Sequence, residues 1–250
     1  MSLCLISTRP DGAVIASDDA VALLRPGGGF QKLPRRLPKF FVLAPDLLLA
    51  VTGREPFAVV ALALMTRVVR ACRPSDVFPE TAARFAASVA SWHKEIEDLV
   101  RHFEDTELSS GLALVGIDRS RGCVRLMSWG SEEGLVEWSS NDATFCMGCP
   151  DAVAPAAEGY CRAVRSAPSL SGVEAVMREL VSTTSRADWR VGSGVWSYKL
   201  PLVGAAEGTL PNGAGCASRQ FGEILASHCP DLNATWLAVV DLLYKEAGRA

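Results

Sequence analysis

The sequence carries no surplus of basic charge: lysine plus arginine number 25 against 28 acidic residues in a chain of 250, a net charge of −3. Such a balance leaves no electrostatic footprint for nucleic acid or an anionic membrane surface, so neither is expected as a partner. A long apolar run is missing too. The most apolar helical stretch, 56–69, is interrupted by Thr66 and Arg67 and is too short to span a bilayer. The opening Met1-Ser2-Leu3-Cys4-Leu5-Ile6-Ser7 lacks the basic and long apolar regions of a secretory signal, so a cytoplasmic location is expected. Histidine is scarce, with three in all, and no ligand spacing supports a metal site. No Gly-Lys-Ser/Thr follows the glycine-rich segment 204–215, which excludes a phosphate loop. No metal or other cofactor is therefore expected. The eight cysteines are scattered and read as reduced thiols, most of them small core residues. Cys146-x-x-Cys149 has no partner pair. It precedes a helix, so a reactive thiol stays open beside core packing. Repeats and long linkers are absent, which predicts a single domain over 1–250.

What is present is an ordinary globular balance, 49% hydrophobic and 21% charged, enough to bury a sizeable core. Residues 2–8 read as a buried strand. Asp11-Gly12 marks a hairpin turn, with Ala13 to Ser17 as the returning strand. The segment 25–38, rich in Gly, Pro and Arg, reads as a loop. Lys39 to Leu43 and Leu47 to Thr52 are strands about the turn Ala44-Pro45-Asp46, the second stopped by Gly53. The first fifty residues thus read as one compact antiparallel β unit. Pro56 to Cys72 is a helix apolar nearly all round, expected between layers or at an interface. A second helix from Ser75 or Pro79 to about His102 repeats Phe85, Val89, Trp92, Ile96 and Leu99 at helical spacing. Its His93, His102 and neighbouring charges read as a solvated face. Strands follow at 111–117, 123–129, 135–139 and 143–148, then helices at 151–165 and 172–183. A strand-like stretch spans 194–203, 204–215 reads as a flexible loop, and a last helix begins at Asp231 with the face Trp236, Val239, Val240 and Leu243. The six tryptophans read as core and interface anchors. Hairpin-linked strands grouped apart from helices argue for an α+β fold of antiparallel sheets with helices outside.

The order of elements and the motifs of the first fifty residues resemble the β-type subunits of proteasomes, in the N-terminal-nucleophile hydrolase superfamily. Ser2 follows Met1, the turn is Asp11-Gly12, a triplet Ala16-Ser17-Asp18 ends the second strand, and Lys39 opens a run that closes at Gly53. The Ser2-to-Asp18 and Lys39-to-Gly53 spacings are similar to the family's. Further on, Phe145 to Cys149 resembles its Gly-Ser-Gly strand end, and Arg186-Ala-Asp188-Trp-Arg-Val-Gly192 its Arg-Asp-x-x-Ser-Gly segment. The total length and Cys4 on the first strand resemble the bacterial Anbu branch.

The resemblance implies a four-layer αββα sandwich and a peptidase or amidohydrolase. Removal of Met1 would free Ser2, whose hydroxyl attacks while its own α-amine, of ordinary pKa roughly 7.7–8.0, takes the proton. Lys39 would favour the hydroxyl's ionisation, Asp18 would hold Lys39 charged, and backbone N–H groups near Gly53 would form an oxyanion hole. Thr52 and Arg54 would line the substrate pocket, with Asp188 supporting the amine. Cys149 stands where the family has serine, Val191 replaces another serine, and Ala20 stands where active relatives often carry arginine. The implied partners are a peptide or amide substrate, further copies in a ring or helical stack, and an ATP-dependent unfoldase. Those departures keep open a catalytically silent structural subunit, which the retained Asp18 and Lys39 oppose. Read without the resemblance, Asp18 is a turn cap beside Asp19 and Lys39 an exposed strand-edge charge.

Overall fold

The computed structural model describes residues 3–24, 30–36, 39–53, 55–73, 77–104, 110–138, 142–148 and 150–209. The hairpin at Asp11-Gly12 begins the architecture. Strands β1 (Cys4–Arg9) and β2 (Gly12–Asp18) pair antiparallel, with Ile6 opposite Ile15. Glycine is required at position 12: its φ is +154°, and a Cβ there would stand 2.4 Å from the carbonyl oxygen of Leu200. After the hairpin β3 (Ala20–Leu24) and β4 (Phe30–Arg36), the chain forms β5 (Phe40–Ala44) and β6 (Leu47–Gly53). Helices α1 (Glu55–Ala71) and α2 (Val77–Glu104) precede β7 (Ser110–Asp118), β8 (Cys123–Gly130), β9 (Gly134–Trp138) and β10 (Thr144–Met147). Helices α3 (Pro150–Val153), α4 (Ala157–Ser166) and α5 (Leu170–Ala187) then lead to β11 (Val195–Pro201) and β12 (Glu207–Thr209). One five-stranded sheet has the order β10-β1-β2-β11-β12, the other β5-β6-β7-β8-β9.

Three apolar clusters stack these elements into layers. β1 shows the logic through its period of two. Cys4 and Ile6 join Phe40, Ala50, Ala113, Val115 and Leu126 between the sheets. Leu3 and Leu5 point the other way, against Val164, Val173, Met177 and Val181 of α4 and α5. On the far side, Leu47, Leu49 and Val51 of β6 pack with Phe57, Leu64, Phe85, Val89 and Trp92 of α1 and α2. Each sheet is therefore buried on both faces, which is why its central strands read as continuous apolar runs. The arrangement is the four-layer αββα sandwich of the N-terminal-nucleophile hydrolase fold. Among the described residues no helix is long and apolar enough to cross a membrane.

The structure corrects several expectations. The first fifty residues do not form one β unit: β1 and β2 enter one sheet, β5 and β6 the other. The expected loop at 25–38 contains β4, paired among the described residues with β3 alone. Its Pro34 falls at the register shift between the pairs Ala20–Arg36 and Ala22–Lys32, an irregularity of the kind at which strands accept proline. The helix expected over 151–165 is interrupted by a 3-10 turn at Ala154–Ala156 containing Pro155, because proline cannot continue the hydrogen-bond ladder. Part of the expected loop after Gly204 is β12, antiparallel to β11. His93 does not belong to a solvated face. It is 7% exposed and packs against the rings of Phe57 and Trp129 at centroid separations of 5.0 and 4.8 Å. Of the tryptophans, Trp92 and Trp129 are buried and Trp189 is exposed. The expected helix from Asp231 lies outside the described residues.

Candidate functional site

Asp18 closes β2 with a side chain fully buried. Its carboxylate accepts three backbone N–H bonds: from Leu3 at 2.8 Å to Oδ1, and from Ala20 at 3.0 Å and Gly192 at 2.8 Å to Oδ2. The main chain of Asp18 adds a fourth link, its N–H donating to the Leu3 carbonyl at 3.0 Å. One side chain thus gathers the start of β1, the end of β2 and the segment before β11. Burial pushes the Asp18 carboxyl above the ordinary range, against the opposing pull of Lys39 and the three amides. The turn-cap reading understates this residue.

Lys39 lies at the head of β5 in the other sheet. It is 8% exposed, so it is not a strand-edge charge. Its Nζ donates to the Ala20 carbonyl at 2.6 Å, and its backbone N–H donates to Ser17 Oγ at 3.2 Å. Ala20 therefore meets Asp18 through its N–H and Lys39 through its carbonyl, which brings ammonium and carboxylate into one buried neighbourhood. Ser17, also fully buried, stitches the sheets together beside them. Cys4 sits opposite Ser17 in register. Its thiol is pushed well up, first by burial and then by Cys146 and Asp18, while Lys39 pulls it down. A thiol so held stays protonated and is a poor nucleophile near neutral pH.

The carbonyl of Lys39 accepts the N–H of Val51 at 2.8 Å, which places Thr52 and Gly53 immediately beyond the lysine along β6. Thr52 is buried and its hydroxyl donates to the Gly111 carbonyl at 3.4 Å. Gly53 is exposed, pairs with Ser110, and has φ +100°. Asp188 caps the C-terminus of α5, and its carboxylate holds Arg190: the Arg190 backbone N–H donates to Oδ1 at 2.9 Å and Nη2 to Oδ2 at 2.5 Å. The Arg190 guanidinium keeps this carboxyl below its usual range. The link from the 188–192 segment to Asp18 runs through the Gly192 main chain, not the Asp188 side chain. Val191 is buried among the apolar residues beneath α5. Ser2, Arg54 and Cys149 lie outside the described residues.

Of the expected residues, the structure thus brings Asp18, Lys39, Thr52 and Gly53 to one end of the sandwich. It adds Ser17 and the second carboxylate, Asp19. Ser17 lies inside the Ala-Ser-Asp triplet, but nothing in the sequence says that its hydroxyl faces the other sheet. Among the described residues no group of three or more His, Cys, Asp or Glu is disposed to hold a metal.

This chain matches the solved structure of Anbu, the ancestral beta-subunit from Yersinia bercovieri, with a TM-score of 0.62 over 92% of this chain and 96% of that one. The chain has a proteasome-like fold. Sequence identity over that match is 15%, so the proteasome-like fold is preserved through packing pattern and not through most of its residues. No protein-family model matches the chain, and no curated protein matches its sequence.

Proposed function

We propose that this chain is a subunit of a proteasome-like assembly in which Ser2, freed by removal of Met1, attacks peptide or amide bonds. The observation that carries the reading is the buried Asp18–Lys39 neighbourhood, bonded to the N–H of Leu3, the residue that follows Ser2 in the chain. Burying an ammonium and a carboxylate is costly unless both are hydrogen-bonded and opposed by charge. Packing alone gives no reason to keep such a pair beside the residue that leads into the first strand. In this scheme the Ser2 α-amine takes the hydroxyl proton, Lys39 stabilises the developing negative charge on Oγ, and the acyl group passes from the substrate nitrogen to that oxygen. The leaving amine takes the proton back from the α-amine. Water then cleaves the ester, and the α-amine again acts as base. Backbone N–H groups near Gly53 serve the tetrahedral oxyanion.

A silent structural subunit is the second reading, favoured by the apolar burial of Val191 and by the Arg190 bonds that occupy Asp188. Intact mass before and after treatment with a β-lactone separates the two. The catalytic reading expects loss of Met1 and a single adduct, absent in Ser2→Ala and formed about 10²-fold more slowly in Lys39→Ala. A retained Met1, or no adduct on a chain with Ser2 exposed, leaves the silent subunit. Self-association belongs to both readings, and mass photometry of the purified chain should show discrete species larger than one 26.7 kDa protomer.

A further inference from the structure

Two buried carboxylates stand at the end of β2, and the scheme above uses only Asp18. The second, Asp19, is 3% exposed and lies against the segment Gly192-Ser193-Gly194. The N–H of Gly194 donates to Asp19 Oδ1 at 3.1 Å. A Cβ on Gly192 would stand 2.2 Å from Asp19 Oδ1, and one on Gly194 2.0 Å from Oδ2. Neither distance is physically possible: the carboxylate fills the space a side chain at 194 would need, and at 192 it shares that role with the main-chain nitrogen of Ala20, 2.5 Å from the same position. The N–H of Gly192 donates instead to Asp18 Oδ2. Adjacent aspartates therefore grip alternate residues of one three-residue segment, and the remaining oxygen of Asp18 receives the Leu3 N–H.

We propose that Asp19 is a positioning residue of the nucleophile site. Seated between Gly192 and Gly194, it holds the 192–194 main chain against Asp18 and so fixes the Leu3 end of β1. Its catalytic consequence rests on the Ser2 reading. Asp19 touches no reacting atom; it acts through Gly192 and Asp18. Val191 carries no hydroxyl, and the residues after it are joined to the two carboxylates by the main-chain N–H groups of Gly192 and Gly194.

Two readouts on the full chain test this: amide exchange at Leu3 and Gly192, which bond to Asp18 and not to Asp19, and the β-lactone acylation rate of Ser2 at saturating probe. Asp19→Ala should raise exchange at both amides by about tenfold and slow acylation by about 10²-fold with little change in half-saturation. Asp19→Asn keeps an oxygen for the Gly194 N–H and should recover most of both. Gly194→Ala drives a methyl into the carboxylate and should reproduce the Asp19→Ala defect. The double variant should be no worse than either single one, because the vacated space accepts the methyl. Unchanged exchange at Leu3 and Gly192 in Asp19→Ala, or an Asp19→Asn as defective as Asp19→Ala, overturns the proposal. Should Asp19→Ala fail to fold, exchange at Leu3 in Gly194→Ala decides in its place. A wild-type chain that takes no adduct defeats the Ser2 reading alone, since the exchange measurements still judge the clamp.

Discussion

Asp18 and Asp118 are both buried carboxylates at strand ends, and their surroundings shift them in opposite directions. At Asp18 burial outweighs Lys39 and the three amides, and the folded value lies above the ordinary one. At Asp118 burial also pushes upward, but hydrogen bonds from Ser120 and Arg125, the Arg121 amide and the Arg125 charge prevail, so the folded value lies below. A raised carboxyl contributes stability that is full below the unfolded value and is lost as pH rises through the folded one. A depressed carboxyl contributes stability that is present above the unfolded value and is lost as pH falls through the folded one. Urea titrations between about pH 3 and pH 7, a span around the unperturbed value near 3.9, should therefore show opposite trends. The advantage of wild type over Asp18→Asn should shrink as pH rises, and its advantage over Asp118→Asn should grow. Parallel trends would mean that burial does not dominate at Asp18. Neither direction is readable from the sequence, because both residues end apolar strands and differ only in which partners the fold delivers.

Among the elements, α5 has a start with a local explanation. Ser169 has extended backbone, and its hydroxyl accepts the N–H of Gly172 at 3.2 Å, satisfying one of the amides a helix leaves open at its N-terminus. Ser169→Ala should cost about 1 kcal/mol, read as a shift in the urea midpoint with unchanged slope; a larger loss would point to packing beyond the cap. Elements with a strong period were legible in this way. The Phe85, Val89, Trp92, Ile96 face of α2 is buried as its spacing predicts, and the hairpin at Gly12 forms at its turn signal. The β3–β4 hairpin was not legible, since glycine, proline and arginine blur the pattern of a two-stranded ribbon. His93 was misread for the opposite reason. Its neighbours in sequence are charged, but the rings that cover it come from α1 and β8.

Holding the layers together is a task for the apolar clusters and not for the surface ion pairs. Arg119, in the β7–β8 turn, donates twice to Asp46 and once to the Leu202 carbonyl beyond β11, and so ties the two sheets at the end away from Asp18. Both partners are partly exposed, and such a pair contributes about 1 kcal/mol or less. Phe40, fully buried between the sheets, is a different case, because its removal leaves a cavity in a close-packed interior. Arg119→Ala should shift thermal or urea unfolding only slightly, whereas Phe40→Ala should cost about 3–5 kcal/mol. Comparable losses would mean that the tether, and not the core, sets the sheet-to-sheet contact.

Composition, turn signals and hydrophobic period were enough to specify grouped antiparallel strands, flanking helices and a core of the right size, since each depends on neighbours a few residues apart. The expectation that Asp18 and Lys39 share a site came from the resemblance of their motifs to proteasome β-type subunits, since composition and period alone read them as a turn cap and a strand-edge charge. Which sheet each hairpin joins, the burial of Lys39 and the seating of Asp19 between two glycines were decided by the tertiary structure alone. Each of those depends on backbone groups delivered from as many as 175 residues away in the chain, and a linear pattern carries no record of such contacts.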